Sequence, residues 1–442
     1  MDSVYHFAPL PRFRLYTSLP LYGRLAGEIV TGRFHRGDED IGRFERAVAT
    51  FIGGSGAPSF HAVAMPMARV AIYHAIRAIV RPGDAVVMSP YTITDVVNMV
   101  IAAGARPVFA DVDAQSGNLR PDEVARLIDQ DTGAVLATHF FGCAALIVEI
   151  AKICRERNIP LIEDAAQAFG CTVDGRKVGT FGDVGIFSFG MYKNVNAFYG
   201  GLALTRDKAL AERLRAGVDD CPVEPLATYL PKFVKGLVTD VLTFPPVFKL
   251  LSFWFFRWSF LKDIEPINNT LRIDVDPKRS DTIPQHYLHR MSPSQARVLL
   301  PQLQGVDADN WERVRKASLY FEGLKDIAEI VLPPFKTDGS HIYNYVCIQV
   351  PDRRAFVRFM MQHRADMSEG HHRNCADLPC FEAFARECPM ARQVAASLVF
   401  LPNYPRYADG EIHRNVSLIR EFFGHTGVTP ASETDQPGRE AA

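Results

Sequence analysis

This sequence predicts an α/β fold: a mainly parallel sheet covered by helices, followed by a smaller C-terminal α+β unit. Three observations carry that expectation. Short apolar runs alternate with amphipathic stretches from about residue 38 to 215, the rhythm of strand–helix units that puts helices on both faces of a parallel sheet. The rhythm stops after about residue 215, passes through a Pro- and aromatic-rich stretch, and resumes in shorter form from Met291. The length of 442 residues calls for two or three domains at roughly 100–200 residues each.

Composition narrows the function classes. The hydrophobic fraction is 48% and the charged fraction 22%, which excludes a mostly disordered chain. With 49 basic and 50 acidic residues the formal charge is -1, which excludes a globally basic nucleic-acid binder. No nucleic-acid partner is expected. Eight cysteines scattered over this length do not make a disulfide scaffold, and none shows zinc-ribbon spacing, so reduced thiols and no metal are expected. The first residues lack a basic segment followed by an apolar run, which argues against a secretory signal.

The elements follow in order. Ile41, Phe44, Val48 and Phe51 recur at helical spacing over 38–54, and Gly53-Gly54 ends that helix. A strand at 61–65 leads through a Pro66-Met67-Ala68 turn into a helix carrying Ile72, Tyr73, Ile76, Ile79 and Val80. Pro82-Gly83-Asp84 is a turn before a strand at 85–88, and 94–103 is a helix capped by Gly104. Strands at 106–110, 134–139 and 160–163 alternate with helices at 121–129 and 147–157, and 184–189 and 201–205 are further strand-like runs. Asp174-Gly175 reads as a tight hairpin. Beyond the break, Ala296, Leu299, Leu300 and Leu303 share a helix face, and 342–350 and 397–401 are strand-like. The expected division is 1–221 for the large unit, 222–285 for an aromatic-rich insertion, 286–427 for the small unit, and a disordered tail at 428–442.

Two residues stand where chemistry is done. Asp164 sits at the carboxyl end of a predicted parallel strand, where ligands bind in open α/β sheets. Lys193 follows another strand and precedes Gly200-Gly201. A buried Asp with a nearby Lys suits pyridoxal phosphate, the Lys as Schiff-base amine and the Asp as partner of the pyridine nitrogen. On these two residues alone the commoner reading is a solvated lysine and a helix cap.

The longer pattern says more. Residues 162–170 and 179–205 read IEDAAQAFG and GTFGDVGIFSFGMYKNVNAFYGGLALT. Supporting segments are Pro82-Gly83-Asp84, the run 103–109, His139-Phe140-Phe141-Gly142 and Arg290-Met291-Ser292. Over roughly 30–215 and 285–425 the chain resembles the DegT/DnrJ/EryC1/StrS aminotransferases, sugar aminotransferases of pyridoxal-phosphate fold type I. The resemblance implies that Lys193 is the Schiff-base lysine and Asp164 the partner of the pyridine nitrogen. It also implies that Gln167 contacts the ring hydroxyl, Ser188 bonds the phosphate, and the protein is a homodimer with shared active sites. An amino donor, glutamate by analogy, and a keto-sugar would react in turn with ping-pong kinetics, Lys193 moving the proton. Dehydratases of the family carry histidine in place of this lysine, so Lys193 favours transamination.

Three positions depart from the family pattern. Met67-Ala68-Arg69 stands where Ser-Gly-Thr usually holds phosphate, Ile93 where an aromatic residue usually stacks on the ring, and Leu288 where an Asn usually reaches phosphate across the dimer. Ala68, Arg69 and Ile93 therefore join Asp164, Gln167, Ser188 and Lys193 as the expected cofactor set. A cation in the first helical turn opposes the helix dipole at a cost of roughly 0.3–1 kcal/mol unless an anion sits there. Arg69 reads either as a phosphate ligand replacing the lost contacts or as half of an ion pair with a nearby carboxylate. By position, His371 and His372 fall in a loop that lines the sugar pocket in the family, and His139 reads as a core histidine.

The insertion is unusual. Trp254, Trp258 and six phenylalanines crowd 244–260, and five cations but one acid, Asp240, lie between Tyr229 and Lys262. Such a segment suits a membrane interface through 240–262, or packing against the core or a dimer partner. No uncharged apolar run in it reaches the ~20 residues of a spanning helix. The expectation is a cytoplasmic enzyme, peripheral at the inner membrane face if the interfacial reading holds, acting on a nucleotide-linked keto-sugar for surface-polysaccharide or secondary-metabolite synthesis. Its rivals are an enzyme for a lipid-linked or amphiphilic keto-substrate, and a non-catalytic regulatory protein that kept the fold.

Overall fold

In the computed structural model, which describes residues 7–15, 17–54, 59–268 and 275–425, the apolar runs pair into one seven-stranded sheet. Its strands are β1 (His61–Met65), β2 (Ala85–Met88), β3 (Arg106–Phe109), β4 (Thr132–Thr138), β5 (Leu161–Asp164), β6 (Val184–Ser188) and β7 (Gly201–Thr205). The order is β1-β7-β6-β5-β4-β2-β3. Only β7 runs antiparallel to its neighbours in this sheet. Most strand residues are buried, because helices cover both faces and leave no polar side for alternation to report.

Boundaries differ from the sequence expectation by a residue or two. The one that matters is β5, which ends on Asp164 rather than Glu163. Successive strand residues point to opposite faces. Glu163 is fully buried, and its carboxylate accepts the amides of Gly179, Phe181 and Gly182 at 2.8, 2.6 and 2.6 Å. The predicted hairpin is present: Thr172–Val173 pairs with Arg176–Lys177 across Asp174 and Gly175, both at positive φ.

The smaller unit is a three-stranded antiparallel sheet, Val346–Gln349, Leu398–Leu401 and Ser368–Glu369, with helices Val306–Leu324, Arg353–Gln362 and Asp409–Phe422 packed around it. The strand expected over 342–350 is shorter, since Tyr343 adopts a positive φ that a strand cannot continue through. Arg373–Asn374 pairs with Tyr91–Thr92, tying this unit to the loop after β2.

The aromatic stretch 222–285 folds mainly into helix Leu226–Leu242 and a second helical run, Pro245–Leu261, bent from the first by 66°. Tyr229 and Phe233 of the first pack with Phe34 and Phe198 on the large unit. Phe248 and Phe253 of the second join the core of the small unit. Among the described residues no single helix is long and apolar enough to cross a membrane. The tail expected to be disordered, 428–442, lies outside the described residues.

Candidate active site

The carboxyl ends of β1, β2, β4, β5 and β6 meet along one edge of the sheet, and the loops leaving them enclose a cavity of about 420 Å³. All nine sequence-predicted site residues line it. Ala68 and Arg69 open the helix that follows β1, and Ile93 precedes the helix after β2. Asp164 ends β5, Gln167 follows it, Ser188 ends β6, and Lys193 lies on the loop beyond. His371 and His372 come from the small unit, just before the segment that pairs with Tyr91–Thr92.

Asp164 is buried and sits level with Thr138 in the β4–β5 register. Its carboxylate accepts the Ala166 amide at 3.0 Å and the Thr138 hydroxyl. Burial raises its pKa, while those donors and the charges of Lys193 and His139 hold it down. Burial pulls the Lys193 amine down to about 8; the Asp164 charge opposes that, and the Arg69 charge adds to it. An amine titrating there can both give and take a proton near neutral pH.

The Gln167 carboxamide is held at both ends. Its oxygen accepts the Phe141 amide at 3.0 Å, and its NH₂ faces His372 Nε2 at 3.3 Å. With Nε2 accepting, the His372 proton belongs on Nδ1, a buried atom with no partner among the described residues. Burial, with the charges of His371 and Lys193, depresses the His372 pKa strongly, so the ring is neutral. The two histidine rings stack at 4.5 Å.

Met67 gives helix Ala68–Ile79 no side-chain cap, so its first-turn amides remain open to an anion. Gly201, paired with both Met65 and Ser188, lets that turn approach: a Cβ there would lie 2.4 Å from the Ala68 nitrogen. The Arg69 guanidinium forms an ion pair with Asp95 and lies 3.1 Å from Tyr287 Oη. The carboxylate partner weighed for Arg69 in the sequence is therefore present. Ile93 makes the wall beside the ring site aliphatic. Nearby Tyr91 is fully buried, packed against Phe140, Phe141 and His372.

This donor set fits pyridoxal phosphate. A buried carboxylate awaits a protonated ring nitrogen, a depressed amine awaits a carbonyl, and an uncapped helix start with Ser188 awaits a phosphate. Sequence reasoning missed Thr138, Asp95, Tyr287, Tyr345 and Lys235, all placed in or beside this cavity. Strand register alone would have found Thr138. No local signal marks the others. His139, read as a core histidine, is fully buried with Nδ1 accepting the Ala145 amide at 3.1 Å and Nε2 facing Glu163 at 3.3 Å.

A second cavity, of about 530 Å³, shares His371 and His372 with the first. Phe256, Phe260, Val357 and Met361 form part of its wall, with Arg353, Arg373 and Arg392 elsewhere on it.

Comparison with known proteins agrees with this geometry. The sequence model of the DegT/DnrJ/EryC1/StrS aminotransferase family matches residues 25–219 and 277–420, leaving most of the aromatic insertion between its two blocks. The spore coat polysaccharide biosynthesis protein SpsC of Bacillus subtilis (strain 168) is 27% identical over 357 residues, covering 80% of this chain and 78% of that one. The dTDP-4-dehydro-2,3,6-trideoxy-D-glucose 4-aminotransferase of Saccharopolyspora spinosa is 27% identical over 349 residues, 78% of this chain and 79% of that one. Among solved structures, DesI in the presence of its TDP-sugar product superposes with a TM-score of 0.69 at 24% identity, over 95% of each chain, which shows the shared fold.

Proposed function

The chain belongs to the DegT/DnrJ/EryC1/StrS aminotransferase family and is a pyridoxal-phosphate-dependent aminotransferase, and from that premise we propose that it aminates a nucleotide-linked keto-sugar with glutamate as donor. The single observation that carries this reading is the cavity that gathers Lys193, Asp164, Gln167, Ser188 and the open helix start at Ala68. The names of the Bacillus and Saccharopolyspora relatives support sugar amination in polysaccharide or secondary-metabolite synthesis.

In this reading each residue has one task. Bound in the cavity, pyridoxal phosphate supplies a carbonyl that exchanges amines and a ring that accepts electrons. Asp164 holds a proton at the ring nitrogen, and its own burial makes that interaction strong. Lys193 Nζ would hold the cofactor, and its amine would take and return a proton. Gln167, held by Phe141 and His372, orients the ring edge. Ser188, the Ala68 amide and Arg69 would hold the phosphate, with Ile93 as the aliphatic wall beside the ring. His371 and His372, which line both cavities, would meet the acceptor. A homodimer completes the site.

A second reading is an amphiphilic or lipid-linked keto-substrate met at a membrane through 240–262. The apolar wall that Phe256 and Phe260 give the second cavity favours it. One experiment separates the outcomes. An absorbance spectrum of the holoenzyme, with and without glutamate, is taken beside that of Lys193→Ala. A cofactor band that glutamate bleaches and the variant lacks supports the donor half-reaction. Nucleotide-linked and lipid-linked keto-sugars are then each tested for restoring the band. If neither donor nor acceptor changes the band of the cofactor-loaded protein, the proposal fails.

A further inference from the structure

The two insertion helices are apolar on the side that faces away from the protein as well as on the side that packs. On helix Leu226–Leu242 the buried positions are Tyr229, Phe233, Gly236 and Asp240, with Asp240 accepting the Tyr22 hydroxyl at 2.7 Å. The opposite stripe, Leu230, Val234, Val238 and Val241, is exposed. The second helical run repeats this. Phe248 and Phe253 pack inward, while Leu250 (64% exposed), Leu251 (68% exposed), Phe255 and Trp258 face outward. A helix in contact with water carries polar residues on its outer face; one that is apolar all round is covered by something.

We propose that this helix pair docks the enzyme onto one leaflet of an anionic lipid bilayer. Charge decides between a bilayer and a second copy of the chain. From 226 to 262 the one acid, Asp240, is buried; of the cations, Lys232 pairs with the buried Glu224 and Lys235 lines the cofactor cavity, which leaves Lys249, Arg257 and Lys262 for this face. Exposed Lys262 lies one helical turn beyond the outward Trp258. A two-fold interface through this face would set equal cationic surfaces against each other, whereas anionic headgroups neutralise them. Both helices are pinned by their inner faces, one to each unit of the protein, and the 66° bend breaks any straight span. That geometry matches helices lying in the interface plane with their outer residues in the acyl boundary. Helix Phe253–Leu261 also walls the second cavity with Phe256 and Phe260, so docking sets the acceptor entrance beside the lipid surface.

The docking inference stands apart from the choice of acceptor, and flotation tests it. The full-length holoenzyme is mixed with phosphatidylcholine vesicles, or with vesicles of phosphatidylcholine and phosphatidylglycerol, and centrifuged through a density step. Wild type and Lys193→Ala are both expected to float with the anionic vesicles, and less with the neutral ones. The double variant Leu250→Glu/Leu251→Glu, which changes two outward side chains, is expected to lose about tenfold or more of its bound fraction. It should keep its cofactor absorbance. Wild type left in the dense layer, or a double variant that floats as well as wild type, overturns the proposal. So does a double variant that sediments as a smaller oligomer than wild type in the absence of lipid, since the face would then be an interface between copies. Loss of transamination in Lys193→Ala without loss of flotation bears on the catalytic reading alone.

Discussion

Arg69 and Asp95, 26 residues apart in the chain, form an ion pair at the edge of the cofactor cavity, and Tyr287 Oη lies within 3.3 Å of both partners. The pair joins the turn after β1 to the first turn of helix Thr94–Ala102. It balances a cation that would otherwise oppose the dipole of helix Ala68–Ile79. It also fixes the guanidinium on the wall of the cofactor cavity.

Replacing Arg69 by Ala is therefore expected to weaken pyridoxal phosphate binding by about 10–100-fold, the range for losing one charge-assisted hydrogen bond worth about 1.5–3 kcal/mol. Titrating the apoprotein with the cofactor measures it. An unchanged dissociation constant would assign Arg69 to its pairing with Asp95 and Tyr287 alone.

The depressed amine of Lys193 sets a pH dependence. The neutral amine is the nucleophile, and a group titrating at about 8 becomes neutral as pH rises through that value. The rate at which apoprotein takes up the cofactor should climb about tenfold from pH 7 to 9 and then level off. An ordinary lysine would keep accelerating past pH 10. Because the Asp164 anion holds the amine's pKa up, Asp164→Asn should move the midpoint to lower pH. That variant should also lose about 10²–10⁴-fold in turnover. A midpoint that stays put would mean that the carboxylate does not act on the amine.

Gly201 carries a steric prediction. In Gly201→Ala the new methyl would lie 2.4 Å from both the Ala68 nitrogen and the Met67 carbonyl carbon, which are backbone atoms that cannot swing aside. A loss of about 1–3 kcal/mol in stability is expected, together with weaker cofactor binding, because the helix start must shift. Gly23→Ala, where nothing lies within 4 Å of the added carbon, is the control and should cost nothing. Denaturant melts of the two variants check both.

Much of the site was legible because its residues follow strands in a fixed way. Asp164 and Lys193 stand after apolar runs, where ligands collect at the carboxyl ends of parallel strands, but it was the family resemblance that gave them their roles. The Asp95–Arg69–Tyr287 cluster could not, because it joins three segments that share no local pattern. The two insertion helices were hidden for another reason. Their residues are apolar on both faces, so no amphipathic period marks where they begin, and Pro231 sits inside the first.

By itself the sequence determined the fold class, the family resemblance, and nine of the side chains that line the cavity at the sheet edge. Hydrophobic period and the alternation of strands with helices require little more than local chemistry. Tertiary packing decided the rest: that burial brings Lys193 near neutral pH, that Asp95 partners Arg69, that His372 braces Gln167, and that the insertion turns an apolar face outward. Each depends on distances between segments far apart in the chain, and such distances exist only once the hydrophobic core has closed.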